Sequence, residues 1–150
     1  MSLVKFCNDF VILHAIEKST PINMSWETKN YSILLVEDNK LNQTVVKFTL
    51  KRFGYLIDVA NNGIEAVEKY REGEYDFILM DIMMPEMDGI EATKCIRDYE
   101  DGRMRIPIIA LTADIMIANE EKCLESGMDA HLSKPFEIES LFKVLEKLDL

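Results

Sequence analysis

The sequence predicts an α/β fold, a three-layer sandwich in which helices cover both faces of a parallel β-sheet. Short apolar runs alternate with amphipathic stretches from residue 31 onward, a pattern typical of successive β-α units. The runs at residues 33–36 and 108–111 are apolar at every position, as in strands that are buried on both sides. A chain of 150 residues is long enough for one domain with a core of its own.

The pattern divides into five β-α units. Strands are expected in the short apolar runs, at residues 33–36, 55–60, 77–80, 106–111 and 130–132. Helices are expected in the amphipathic stretches, at residues 41–53, 64–70, 90–99, 114–126 and 138–148. We assign residues 31–150 to this domain and residues 1–30 to an N-terminal extension or linker, whose first three residues resemble a cloning remnant.

Glycines and apolar spacing support these boundaries. Gly54 and Gly127 follow the first and fourth helices, where a left-handed C-cap is expected, and Gly89 lies near the start of the third. The last helix carries one apolar stripe, formed by Ile138, Leu141, Phe142, Leu145 and Leu148. That helix must therefore dock on the rest of the domain.

The composition is that of an acidic globular protein, with 48% hydrophobic and 29% charged residues. A net charge of −10 opposes direct binding to nucleic acid and favours a protein or a cation as partner. Cys7, Cys95 and Cys123 form no CxxC pair, which suits free thiols in the cytoplasm. The apolar run at residues 10–16 is too short to span a membrane, so no membrane contact is expected.

Polar residues follow four of the five predicted strands. The first strand leads into Glu37 and Asp38, and the third into Asp81. The fourth strand leads into Thr112, and the fifth ends just before Ser133-Lys134-Pro135. Because ligands of open α/β sheets bind beyond the carboxyl ends of the strands, we expect these residues to converge on one edge.

Three of these residues are carboxylates and suggest a metal ion. Glu37, Asp38 and Asp81, brought within a few ångströms, would repel one another by roughly 4 kcal/mol per close pair at an effective dielectric constant of about 20. A few oxygen ligands with room for water and phosphate suit Mg²⁺ better than Ca²⁺, which takes more oxygens. Zinc is disfavoured because the sequence has no clustered histidines or cysteines.

The same residues contain the parts needed for phosphoryl transfer, which are a nucleophile, a metal ion and donors for the phosphoryl oxygens. Asp81 can attack as an aspartyl nucleophile. Glu37 and Asp38 can hold the metal ion. The Thr112 hydroxyl and the Lys134 ammonium can bind phosphoryl oxygens.

Four segments carry a family resemblance: LLVEDN at residues 34–39, MDIMMPEMDG at 80–89, ALTA at 110–113 and SKPF at 133–136. In this order, at these strand ends, they resemble the receiver domain of two-component response regulators. The resemblance covers about residues 31 to 148. Asn42 and Gln43, which follow the first segment, make the chain most similar to receivers of hybrid sensor histidine kinases.

The resemblance implies a flavodoxin-like sheet of strand order 2-1-3-4-5. It implies that Asp81 takes a phosphoryl group from a histidine kinase or a histidine phosphotransfer protein. Mg²⁺ would be held by Asp38, Asp81 and the Met83 main-chain carbonyl, with Glu37 acting through water. Thr112 would swing toward the phosphoryl group, and Lys134 would pair with Asp81 or its phosphate. The peptide bond before Pro135 would be cis.

Some positions differ from the usual family pattern or leave it open. His131 stands where the family usually has the Tyr or Phe of its conformational switch, and we expect a half-buried ring there. Met83 offers no polar side chain, and Asp114 follows Thr112 by two residues, so the lifetime of the phosphorylated state is left open. The four consecutive apolar residues 115–118 predict either a frayed first turn or an exposed output face on the fourth helix and fifth strand, where a homodimer could form.

The sequence disfavours three other functions. A phosphatase of the haloacid dehalogenase type would need a second Asp where Met83 stands, and a flavin-binding module would need an anion cradle where Glu37 and Asp38 stand. A degenerate receiver is disfavoured because every reactive position is filled. Since the chain stops near the end of the fifth helix, we expect no DNA-binding output region. The domain is then either a stand-alone regulator or a fragment of a hybrid kinase. In both cases we expect it to help catalyse its own modification.

Overall fold

Five strands and five helices alternate in the computed structural model, which describes residues 29–102, 104–113 and 117–150, with the side chains of residues 117–119 excluded. The strands are β1 (Ser32–Val36), β2 (Leu56–Ala60), β3 (Phe77–Asp81), β4 (Ile108–Thr112) and β5 (Ala130–Ser133). The helices are α1 (Lys40–Lys51), α2 (Gly63–Glu72), α3 (Gly89–Glu100), α4 (Ile117–Ser126) and α5 (Ile138–Lys147). The predicted extension up to residue 28 and the predicted helix start at residue 114 lie outside the described residues.

The strands form one parallel sheet of order β2-β1-β3-β4-β5. The α/β class and the strand order implied by the family resemblance are both confirmed. The order reverses beside β1 and β3, where the chain crosses from one side of β1 to the other. This is the place where open α/β sheets bind ligands.

Helices cover both faces of the sheet. Every residue of β3 is buried, as predicted for a strand enclosed on both sides. On one face, α1 and α5 pack through Leu50, Leu141 and Leu145. On the other face, α2, α3 and α4 contribute their own apolar side chains, including that of Ile96. No helix in the described part of the chain is both long and apolar enough to cross a membrane.

The start of α3 packs directly against the end of β3. A Cβ atom on Gly89 would lie only 2.2 Å from the carbonyl oxygen of Asp81, so this close approach needs glycine. Asp88 caps the helix by accepting a hydrogen bond from the Glu91 N–H at 2.9 Å, and the Glu91 side chain completes a capping box. The predicted left-handed cap at Gly127 is confirmed, since its φ angle is +99°.

Strand β4 begins two residues later than predicted, because residue 106 is held by a side chain and not by the sheet. The Ile106 N–H donates to the Glu100 carboxylate at 3.1 Å. Arg97, whose side chain is only 14% exposed, pairs with Glu100 at 2.7 Å and with Asp129 at 2.8 Å. Arg97 also donates to the main-chain carbonyl of Gly127 at 2.9 Å. One guanidinium thus joins α3 to the segments that enter β4 and β5.

Replacing Arg97 by Met should lower the free energy of unfolding by about 3–5 kcal/mol, because it leaves the nearly buried Glu100 without its cation and Asp129 with Arg105 as its remaining ion-pair partner. Urea denaturation measures the change. Arg52→Met, at an exposed position after α1, is the matched control and should change stability by less than about 0.5 kcal/mol. Equal losses in both variants would show that the Arg97 pairs contribute nothing beyond a surface arginine.

Candidate functional site

The carboxyl ends of β1, β3, β4 and β5 open into one cavity of about 270 Å³. Six of the residues predicted from the sequence line it: Glu37, Asp38, Asp81, Met83, Thr112 and Lys134. The prediction that these residues converge on one edge is confirmed. Asn39 and Asn42, at the start of α1, also line the cavity.

A single ammonium group bridges two buried carboxylates in this cavity. Lys134 Nζ lies 2.9 Å from Glu37 Oε2 and 3.1 Å from Asp81 Oδ2. Glu37 is 1% exposed and Asp81 4% exposed, so both carboxylates are removed from water. Two negative charges and one positive charge leave a net negative charge in a buried site, which favours a further cation.

The two carboxylates are shifted in opposite directions. Burial raises the pKa of Asp81 above its ordinary value and the charge of Glu37 adds to the rise, although Lys134 opposes it. Burial alone would also raise the pKa of Glu37, but hydrogen bonds from Lys134 and the Asn39 N–H outweigh burial and hold that pKa below its ordinary value. Both carboxylates raise the pKa of Lys134 against the effect of burial, so its ammonium stays charged.

The donor set suits a hard divalent cation. Carboxylate oxygens of Glu37, Asp38 and Asp81 all lie within 4.8 Å of one another. Asp38 is exposed, which leaves water-accessible positions around a bound ion. Few protein oxygens with room for water is the arrangement that Mg²⁺ prefers. The Met83 N–H donates weakly to Asp81 Oδ1 at 3.4 Å, and the Met83 side chain is 81% exposed at the mouth of the cavity.

Thr112 and Lys134 lie side by side where β4 and β5 end. Thr112 ends β4 opposite Ser133 of β5, and the Lys134 N–H donates to the Thr112 carbonyl at 2.7 Å. The Lys134–Pro135 peptide bond is cis, as the family resemblance implied. The Lys134 side chain extends from the loop after β5 back across the strand ends to the acids that follow β1 and end β3.

His131 lies outside the cavity lining, on β5 opposite Ala110. Its ring is 33% exposed, and its Nδ1 atom lies 3.5 Å from Glu120 Oε1 of α4. The predicted half-buried ring is confirmed. Whether His131 replaces the aromatic residue of the switch stays a prediction. Asp114 and residues 115 and 116 lie outside the described residues, as do the side chains of residues 117 and 118, so the predicted output face is not tested.

Sequence reasoning missed Gln43 as part of the site. Gln43 is 7% exposed, and its Nε2 atom donates to the main-chain carbonyl of Glu37 at 2.6 Å. A signal was available, because Gln43 shares one helical face with Val46 and Leu50 and is a polar residue in an apolar stripe. The stripe predicts burial, but the partner of the amide cannot be predicted from spacing.

Comparison with known proteins identifies the family of this arrangement. The family model described as the response regulator receiver domain matches residues 33–146. Histidine kinase 5 of Arabidopsis thaliana is 37% identical over 146 residues, which cover 81% of this chain and 16% of that protein. Hybrid signal transduction histidine kinase B of Dictyostelium discoideum is 45% identical over 130 residues, 80% of this chain and 6% of that protein. The chain therefore spans a sixth or less of these relatives.

Solved structures agree with these relatives. The receiver domain of the sensor histidine kinase PA1611 from Pseudomonas aeruginosa, with a magnesium ion in its active site cleft, is 44% identical with a TM-score of 0.72. That match covers 79% of this chain and 97% of the other. The receiver domain of Ssk1 from Saccharomyces cerevisiae, crystallised with the histidine phosphotransfer protein Ypd1, is 36% identical with a TM-score of 0.72, covering 78% and 88%.

The opposite shifts of the two buried carboxylates predict opposite effects of neutralising them. Without divalent ions at pH 7, Asp81→Asn should raise the free energy of unfolding by about 1 kcal/mol, because it removes a buried charge that the nearby charge of Glu37 also repels. Glu37→Gln should lower it by about 1–3 kcal/mol, because Glu37 is held ionised by Lys134 and Asn39.

The two carboxylates should also have opposite effects on how the free energy of unfolding depends on pH. The raised pKa of Asp81 means that the folded state binds this proton more tightly, so stability falls as pH rises through the raised value. The lowered pKa of Glu37 adds stability above its ordinary range, and this stability is lost as pH falls through the lowered value. Urea denaturation of the wild type and both variants between about pH 3 and pH 8 tests this. Shifts of the same sign in both variants would contradict it.

Proposed function

Because this chain belongs to the response regulator receiver domain family, we propose that Asp81 accepts a phosphoryl group from a phosphohistidine with Mg²⁺ bound beside it. One observation carries the proposal: Lys134 Nζ lies between two buried carboxylates, 3.1 Å from Asp81 and 2.9 Å from Glu37, at the switch point of the sheet. An acceptor carboxylate, a cation for the phosphoryl oxygens and an acidic cluster for the metal ion thus meet in one cavity.

Asp81 supplies the nucleophile. One of its carboxylate oxygens forms a bond to phosphorus while the bond from phosphorus to the histidine nitrogen breaks, and the imidazole ring keeps the electron pair of that bond and takes up a proton. The ammonium of Lys134, already beside Asp81, then binds a phosphoryl oxygen. The Thr112 hydroxyl binds another, and its movement shifts the domain toward the signalling conformation.

Asp38, Asp81 and the Met83 carbonyl would hold the metal ion, with Glu37 acting through water. The carboxylate oxygens within 4.8 Å of one another support this set, as does the magnesium ion in the similar Pseudomonas aeruginosa receiver. When bound, Mg²⁺ neutralises the charge that the acids and the phosphoryl oxygens share. The chain's own contribution is to hold these oxygens in place before the donor arrives.

We further propose that the donor docks on the outer face of α1, which we define by Leu41, Val45 and Phe48. These side chains are 62%, 54% and 57% exposed, and they recur at helical spacing beside the cavity. The segment 40–52 has four cations and no acid, although the whole chain carries −10. An apolar face with a basic rim fits a helical partner that presents its histidine among apolar and acidic side chains.

We also propose that the domain lies in the cytoplasm and is part of a hybrid histidine kinase. The free thiols of Cys95 and Cys123 suit the cytoplasm. Relatives in which the matching region is a small part of a longer kinase favour a hybrid histidine kinase over a stand-alone regulator. A homodimer through α4 and β5 stays a prediction, as does the assignment of residues 1–30 to a linker.

Incubation with a small acyl phosphate and Mg²⁺ should add one phosphoryl group to the wild-type chain and none to Asp81→Asn. Intact mass spectrometry measures the adduct, and hydroxylamine should remove it, because an acyl phosphate is its expected form. Asp98→Asn, at an exposed position of α3, is the matched control and should react like the wild type. An adduct on Asp81→Asn, or one that hydroxylamine leaves intact, would contradict the proposed acceptor.

Replacing Phe48 by Ser should slow transfer from a phosphorylated histidine phosphotransfer protein about tenfold or more, since losing an exposed aromatic side chain that docking would bury costs about 1–2 kcal/mol of docking energy. Reaction with the small acyl phosphate should not change, because that donor needs no docking surface. Leu124→Ser, 58% exposed on α4, is the control and should leave both reactions unchanged. Equal slowing with both donors would place the defect in the cavity and not in docking.

A further inference from the structure

A buried amide links the acidic end of β1 to the end of β2. Gln43 Nε2 donates one hydrogen bond to the Glu37 carbonyl at 2.6 Å and one to Asn61 Oδ1 at 3.0 Å, so both of its protons are used. Gln43 Oε1 lies 3.5 Å from Lys40 Nζ, which also bonds Asn61 Oδ1. A fully bonded amide at a position that an apolar residue could fill indicates a specific role.

Gln43 is one of several residues that hold Glu37 in place by hydrogen bonds. The Glu37 N–H donates to the Ala60 carbonyl of β2 at 3.1 Å, and its carboxylate is held by Lys134 and the Asn39 N–H. Gln43 fixes the one remaining polar group, the carbonyl. Every polar group of Glu37 is therefore paired, with β2, with the start of α1 or with the loop after β5.

The Glu37 carbonyl belongs to the peptide that leads into Asp38. Asp38 is exposed, in contrast to Glu37 and Asp81, yet one of its oxygens lies within 4.8 Å of oxygens of both. An exposed side chain is little constrained by packing, so the direction of its carboxylate depends on the backbone that carries it. The hydrogen bond from Gln43 sets the plane of that peptide.

Asn61 anchors this arrangement on the far side. Its Nδ2 atom and its main-chain N–H both donate to Glu65 Oε2, at 2.8 and 2.9 Å, so its side-chain oxygen is aimed at Gln43. Gln43 is thereby held between the Glu37 peptide and α2. The chain of contacts runs from Glu65 of α2 through two amides to the peptide between Glu37 and Asp38.

We propose that Gln43 is a positioning residue for the divalent cation site: its buried amide orients the Glu37–Asp38 peptide and so aims Asp38 toward Asp81. The inference rests on the proposed function, since it assigns Gln43 to the metal site of that reaction. A purely structural role, in which Gln43 only joins α1 to β2, would change stability and leave Mg²⁺ affinity as it is. The two roles therefore differ in a measurable quantity.

Replacing Gln43 by Met keeps the length and removes both donors. Calorimetric titration with Mg²⁺ should show affinity reduced about tenfold or more, the usual effect of losing a group that orients a metal ligand. Without Mg²⁺, amide hydrogen exchange at Asp38 and Asn39 should be faster than in the wild type. Leu50→Ala, in the last turn of α1, is the destabilised control and should melt earlier with Mg²⁺ affinity unchanged.

A double-mutant cycle with Asn61→Ala tests the contact chain. Asn61→Ala should weaken Mg²⁺ binding less than Gln43→Met, and the double variant should bind like Gln43→Met alone, because both changes act through one amide. If Gln43→Met does not fold, Asn61→Ala decides, and unchanged Mg²⁺ affinity in it would overturn the inference. If a folded Gln43→Met binds Mg²⁺ with wild-type affinity, the inference about Gln43 is overturned and the proposed function is not. If the wild type neither binds Mg²⁺ nor gains phosphate, the proposed function itself is overturned.

Discussion

The ammonium of Lys134 between Glu37 and Asp81 is the interaction on which the site depends. Two carboxylates that are 1% and 4% exposed would repel each other strongly without a cation. Lys134 lies about 3 Å from both and compensates one of the two charges. The remaining negative charge favours the binding of a second cation. Burial raises the pKa of Asp81, the proposed phosphoryl acceptor, and the charge of Glu37 adds to the rise. In the proposed reaction, the same lysine would bind a phosphoryl oxygen.

The fold delivers these groups because parallel strands end together. Glu37 and Asp81 are carried by β1 and β3, which are neighbours in the sheet, while Lys134 follows the edge strand β5. The close contact of Gly89 with the Asp81 carbonyl holds the end of β3 from the other side. The strand ends are thus parts of the core, and the proposed metal site built on them would need little reorganisation when an ion binds.

The opposite end of the sheet is organised around Arg97. Its guanidinium joins Glu100, Asp129 and the Gly127 carbonyl, and so holds together the chain segments that enter β4 and β5. Charge therefore plays different parts at the two ends. At the amino ends of the strands, arginine compensates the carboxylates and holds the chain segments together. At the carboxyl ends, one negative charge is left uncompensated and is available for chemistry.

The sequence alone determined the α/β class, the ten elements to within a few residues, and the acids, Thr112 and Lys134 of the site, because apolar spacing and strand ends are local properties of the chain. Tertiary structure decided what these residues do to one another. Lys134 meets Glu37 across 97 positions of sequence, and the opposite pKa shifts of Glu37 and Asp81 arise from burial and from that contact. The part played by Gln43 was likewise invisible in the spacing, since a buried amide finds its partners only when α1 packs against β1 and β2.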